Sequence, residues 1–234
     1  MVWLAATASP LWYATRGTGT VAFVLLSATV GLGLLTSSRW QAADWPRFFV
    51  FDLHRDISLL AVSFGVIHVV TSLLDPFARL GLKDALVPFA STYRPIWTGL
   101  GVVSAELMAA VLVTSLLRQR IGFGPWKLIH WAAYVAWPTS LLHSIGTGTD
   151  VRRLWFLYTV GMCVLAVLGA YVVVRLAFGW PKHATFRLVA AAISGFAVVA
   201  VFLFLINGPL VPGWAKIAGT PTFILHPASP SPTP

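Results

Sequence analysis

Charge is what this chain of 234 residues has least of: 10% of its residues are Asp, Glu, Lys or Arg, where an ordinary soluble domain carries about a quarter. That scarcity excludes a soluble globular protein. Only seven residues are acidic. A single cysteine, Cys163, excludes a disulfide framework or a thiolate metal site. A dinucleotide fingerprint is also missing, because the Gly-Thr-Gly triplets at 17–19 and 146–148 are not set between a strand and a helix. What is present is apolar: 58% hydrophobic residues, 11 Trp, 15 Phe and 19 Gly, with a mean hydropathy of +0.82. This is the composition of a polytopic membrane protein, in which interfacial Trp and helix-borne Gly are enriched. The formal charge of +9 is not a nucleic-acid signal. Its Lys and Arg are scattered through short connections, where they set orientation and meet lipid headgroups.

Six stretches satisfy the criterion of about 18 apolar residues for a membrane-spanning helix: 17–37, 51–74, 96–117, 125–146, 154–178 and 185–207. The expected fold is therefore all-α, a six-helix transmembrane bundle over residues 17–207. A short N-terminal segment, 1–16, precedes it without the basic start and apolar core of a signal peptide. The tail, 208–234, is Pro-rich and is assigned no regular structure. In the longest connection, LGLKDALVPF predicts a short interfacial helix ending at Pro88. Counting Lys and Arg on alternate sides gives nine against seven. The positive-inside rule then places 38–50, 118–124 and 179–184 in the cytoplasm and both termini outside.

Four of the six histidines form a pattern. His54 and His68 lie in the second span, His130 and His143 in the fourth; His183 and His226 fall in a loop and the tail. Intervals of fourteen and thirteen residues separate the members of each pair by about 21 and 19.5 Å along a helix. The two spans run in the same direction, so His54 is level with His130 and His68 with His143. Facing neutral imidazoles can supply both axial ligands of a haem iron, and two stacked haems can carry electrons across a bilayer. A zinc site from all four is excluded, since zinc–nitrogen bonds are about 2 Å. Thirteen residues at about 100° each leave His130 and His143 about 140° apart in azimuth, and Pro138 between them is the expected kink that re-aims His143.

The segments HRDISLLAVSFGVIHVVTSLLDPF, RPIWTGLG and KLIHWAAYVAWPTSLLHSIGTGTD, with these intervals, resemble the ferric reductase-like transmembrane domain. NADPH oxidases, ferric reductases and the haem-binding membrane subunit of bacterial methionine sulfoxide reductase systems share it. The resemblance covers 11–178, and the sixth span and GPLVPGWAKIAGTP look like stand-alone bacterial members. It implies two haem b groups, with His54 and His130 as iron ligands on the cytoplasmic side and His68 and His143 as those of the outer haem. It implies electron transfer outward, from a cytoplasmic-side or quinol donor to ferric chelates, oxygen or an exported redox partner. No flavin or nicotinamide domain is expected in this chain, so the donor is a separate flavoprotein or a quinol. Two rivals stand beside this reading: a quinol-linked cytochrome b subunit, and a haem-free proton-coupled transporter or assembly subunit.

Other residues carry paired readings. Arg47 and Arg55 at the cytoplasmic side, and Arg94, Arg152 and Arg153 outside, suit haem propionates or serve as interfacial anchors. Asp52 and Asp56 either orient His54 or are solvated helix-start carboxylates. Glu106, near mid-span, either moves protons or hydrogen-bonds a histidine, or is a neutral polar contact between helices. Trp131 packs on a porphyrin or in the core. The other tryptophans mostly read as interfacial belts, and Cys163 as a small apolar residue.

Overall fold

The computed structural model describes residues 9–37, 47–178 and 199–225. Among these residues every regular element is a helix: α1 (Pro10–Ser37), α2 (Arg47–Leu74), α3 (Leu82–Leu86), α4 (Pro95–Leu116), α5 (Arg118–Ile121), α6 (Phe123–His130), α7 (Ala133–Thr147) and α8 (Leu154–Phe178). A helical stretch over 199–207, α9, follows, then the single turns α10 (Trp214–Ile217) and α11 (Thr222–Leu225). Four helices are long and apolar enough to cross a membrane: Pro10–Thr36, Phe48–Leu74, Pro95–Leu116 and Leu154–Arg175. The chain is a multi-pass membrane protein.

One of the six expected spans takes another form, and another is only partly described. The fourth is divided into α6, of 8 residues, and α7, of 15. The sixth lies largely outside the described residues, which hold only its end as α9. The division falls at Trp131–Ala132, not at Pro138, through which α7 runs unbroken. Pro138 removes one N–H, but hydroxyls brace the helix around it. Thr139 donates to the carbonyls of Val135 and Ala136, both at 2.9 Å, and Ser104 donates to Ala136 at 2.8 Å.

α1 is the spine of the bundle, packing along α2 on one side and against α7 and α8 on the other, while α4 packs on α7. The core joins Phe23 of α1, Leu141 and Ile145 of α7, and Phe156, Val160 and Cys163 of α8. Cys163 is thus one more apolar packing residue. Trp137 belongs to this interior rather than to an interfacial belt: its Nε1–H donates to Ser27 Oγ at 2.8 Å, and its ring stacks on Phe23. The least covered of the four long helices is α2. Its exposed Leu59, Leu60, Val66, Ile67 and Val70 form the surface that lipid tails cover in place of protein.

Residues 208–225, expected to lack regular structure, instead fold back over the end of the bundle where α1 and α4 begin. Arg94 anchors them. This residue is 4% exposed and caps α4 with a left-handed φ of 45°. Its backbone N–H donates to Gly219, Nε to Thr220 Oγ1 at 2.9 Å, and Nη1 to the carbonyls of Gly146 and Thr147 at 2.9 and 3.0 Å. Those carbonyls end α7, where unpaired acceptors and the negative end of the helix dipole both favour a cation. Beside them, buried Trp214 donates to Gly146 and packs with Trp97 and Phe204. Asp150, also buried, pairs with Arg16 and Arg153.

Arg94→Ala strips bonds from three acceptors, two of them buried, and a buried acceptor left unpaired costs about 1–3 kcal/mol. The variant is expected to melt earlier in detergent and to become cleavable within 208–225. An unchanged midpoint and digestion pattern would show that the anchor contributes nothing.

Candidate functional site

α2 and the α6–α7 segment do not pack closely on each other. Instead, two pairs of imidazoles face one another between them. The rings of His54 and His130 have centroids 6.3 Å apart and planes at 65°; those of His68 and His143 are 6.1 Å apart at 78°.

Three of the four rings are held from behind by backbone. The Nδ1–H of His68 donates to the carbonyl of Thr15 at 2.8 Å, that of His54 to Thr29 at 3.1 Å, and that of His143 to Trp97 at 2.9 Å. A carbonyl can only accept, so each Nδ1 carries the proton and each Nε2 keeps its lone pair. The histidines of α2 therefore lean on α1, and His143 leans on α4.

Each contact needs a glycine. A Cβ at Gly19 would lie 2.7 Å from His68 Nδ1, one at Gly101 2.4 Å from His143 Nδ1, and one at Gly33 3.3 Å from His54 Cε1. In all three cases the glycine sits four residues after the accepting carbonyl, one turn along the same helix face. The bare backbone there lets the ring reach the carbonyl.

His130 is the exception, with a buried Nδ1 that has no hydrogen-bond partner. Its ring packs against Trp126, with centroids 4.8 Å apart and planes tilted by 31°. Trp126 in turn donates from Nε1 to Ser115 Oγ and lies under the Arg118 guanidinium.

The azimuth problem between His130 and His143 is solved at Trp131–Ala132. There the bonds shorten to the 3₁₀ pattern: Ala132 N–H to Ile129, Tyr134 N–H to Trp131, and Val135 N–H to Ala132. Three steps at about 120° instead of about 100° add about 60°, which takes the offset from about 140° to about 80°.

A metal between two imidazoles at bond lengths of about 2.0 Å, with each ring centre about 1.2 Å behind its nitrogen, sets the centroids about 6.4 Å apart. The observed separations of 6.3 and 6.1 Å fit an iron with two axial imidazoles. One pair also holds an orphaned polar atom, the buried Nδ1 of His130. Such an atom in a protein interior calls for a bound group or water. Among the described residues no three metal-ligating side chains converge, so each pair stands by itself.

The remaining candidates lie elsewhere. Arg55 is exposed and pairs with Asp52 and Asp56; those carboxylates serve the arginine, while His54 is oriented by Thr29. Arg94 is spent inside the bundle end. Exposed Arg152 donates to Val211, and Arg153 reaches Asp150. Arg47 opens α2. Glu106 lies on the exposed face of α4, and Trp131 is exposed rather than in the core. His183 and His226 lie outside the described residues. Sequence reading missed Gly19, Gly33, Gly101 and Trp126. A signal for the glycines was present: each closes a Gly-x-Gly pair, at 17/19, 31/33 and 99/101, and the first two pairs are spaced by fourteen residues like His54 and His68.

The fold and the paired imidazoles define a multi-pass membrane protein with two facing-histidine sites, one at each end of α2. The family described as ferric reductase like transmembrane component matches residues 18–141, more than half of the chain, and the chain belongs to that family. It is 30% identical over 138 residues to the protein-methionine-sulfoxide reductase haem-binding subunit MsrQ of Ralstonia nicotianae, an alignment covering 58% of this chain and 59% of that relative. No solved structure matches.

Because Asp52 and Asp56 touch Arg55 only at an exposed surface, where ion pairs contribute about 0–1 kcal/mol, replacing both with Asn is expected to leave the melting temperature nearly unchanged. A large drop would mean that they support His54 after all.

Proposed function

We propose that this chain is a di-haem cytochrome that moves electrons across the membrane. One haem b lies between His54 and His130 and the other between His68 and His143. The observation that carries the reading is the pair of ring separations, each matching an iron with two axial imidazoles. When bound, such a haem supplies one-electron transfer without an open coordination position.

The residues of the chain do the rest. The carbonyls of Thr15, Thr29 and Trp97 fix the tautomer that leaves Nε2 free for iron, and accepting from Nδ1–H raises the basicity of the ligating nitrogen. α1 and α4 stand behind the histidines as braces. Arg55 at one end and Arg152 and Arg153 at the other are the exposed cations that suit propionates. Arg94 acts there only through the fold, by holding α4 to the end of α7.

In this reading residues 17–207 make six spans, with α6 and α7 together as the fourth and α9 ending the sixth. Family membership and the haem-binding relative support a membrane electron-transfer role. The charge count supports entry from the cytoplasmic side and both termini outside. The donor is a separate flavoprotein or a quinol. The relative is named as a subunit of a protein-methionine-sulfoxide reductase, which favours an exported reductase partner as acceptor. The haem-free transporter reading loses support, because Glu106 is on an exposed face of α4 rather than buried among the helices.

Haem assay against protein concentration is expected to give two haems per chain, with low-spin spectra. His68→Ala and His143→Ala should each remove the same haem, and His54→Ala and His130→Ala the other. A colourless protein, or members of one pair removing different haems, would overturn the proposal.

A reporter fused after Pro234 is expected to be active only outside the cytoplasm. A cytoplasmic signal would reverse the electron path.

A further inference from the structure

We infer that Gly19, Gly33 and Gly101 are positioning residues that clamp three of the four histidines against backbone carbonyls, and that His130, lacking a clamp, makes its site the weaker hold for haem. The inference rests on the haem reading above and adds an inequality between the two sites.

The clamp has one construction at three places. A carbonyl at Thr15, Thr29 or Trp97 accepts the Nδ1–H of a histidine from the neighbouring helix, and the glycine four residues on leaves room for that ring. On α1 the two clamps are fourteen residues apart and meet two histidines fourteen residues apart on an antiparallel neighbour. One register of α1 against α2 therefore satisfies both. At His68 and His143 the would-be Cβ falls at 2.7 and 2.4 Å from Nδ1 itself. The ring cannot yield there without giving up its carbonyl. At His54 the approach is looser, 3.3 Å to Cε1.

Two companion glycines, both on α1, show that helix flexibility is not the reason there; the third, Gly99, makes room for Phe89 instead. A Cβ at Gly17 would meet nothing within 4 Å, and one at Gly31 would make only an ordinary contact with Ala170 at 3.8 Å. Position in the Gly-x-Gly pair, not glycine content, decides the effect.

The His68/His143 site thus has both ligands clamped. The His54/His130 site has one loose clamp and one ring that leans, tilted, on Trp126 with no hydrogen bond to its Nδ1. A ligand with an unpartnered Nδ1 is free to turn and is the less basic donor.

The test compares purified wild-type protein with Gly19→Ala, Gly101→Ala, Gly17→Ala and Gly31→Ala by haem content, spectra and redox titration. Gly19→Ala and Gly101→Ala are expected to drop from two haems to one, or to shift the midpoint of the His68/His143 haem while the other midpoint stays in place. Gly17→Ala and Gly31→Ala should match wild type. Equal effects of Gly17→Ala and Gly19→Ala, or two unaltered haems in Gly101→Ala, would overturn the clamp.

Wild-type protein supplies an arm that needs no variant. On challenge with excess apomyoglobin, the haem that His54→Ala or His130→Ala removes should leave first. Loss of the other haem first, or of both together, would overturn the inequality. Wild type without haem would instead sink the functional reading on which the clamp depends.

Discussion

An imidazole in a hydrocarbon layer has two nitrogens to satisfy and no water to satisfy them with. Free hydrogen-bonding groups are costly there, and helix backbone offers carbonyls that already serve an N–H of their own helix. A carbonyl has a second lone pair, and a ring can reach it only where the helix surface is stripped to its backbone. Much of the bundle follows from that constraint. α1 lies between α2 and α7 because it must present two bare patches to α2. α4 lies against α7 because His143 needs a third.

The large outline was legible in the sequence. Long apolar runs gave the helices, and histidines at matched intervals on two parallel spans gave the pairs. The finer elements were hidden for physical reasons. Trp131–Ala132 carries no Gly or Pro, so the change to 3₁₀ geometry leaves no local signature, whereas Pro138 carries the strongest helix-breaking signature and breaks nothing. The turn before it is braced by added bonds to the carbonyls of Val135 and Ala136, from Thr139 on the same helix and from Ser104 on another, and the second of these only the tertiary fold supplies.

Position in the sequence also misled where tertiary partners decide. Asp52 and Asp56 flank His54 in sequence, but residues two apart lie on different faces of a helix, and both carboxylates are reached by the long side chain of Arg55. Arg94 looks like an interfacial cation. Its partners, Gly146, Thr147 and Thr220, stand 52 to 126 residues away. The prolines of the tail suggested an unstructured segment, although residues 208–225 find a surface made by Trp97, Phe204 and the end of α7.

The placement of both α1 clamps on one uninterrupted helix has a mechanical meaning. A ruler of four turns, about 21 Å long, sets the interval between the two histidines of α2. If α1 tilts or slides, both rings are carried along together and the interval between them is kept. In the proposed di-haem reading, where electron tunnelling falls off steeply with distance, a spacing that survives such movements would protect the rate of passage between levels. The other wall has no such ruler: His130 and His143 lie on either side of the break at Trp131–Ala132, and motion between α6 and α7 changes one level without the other.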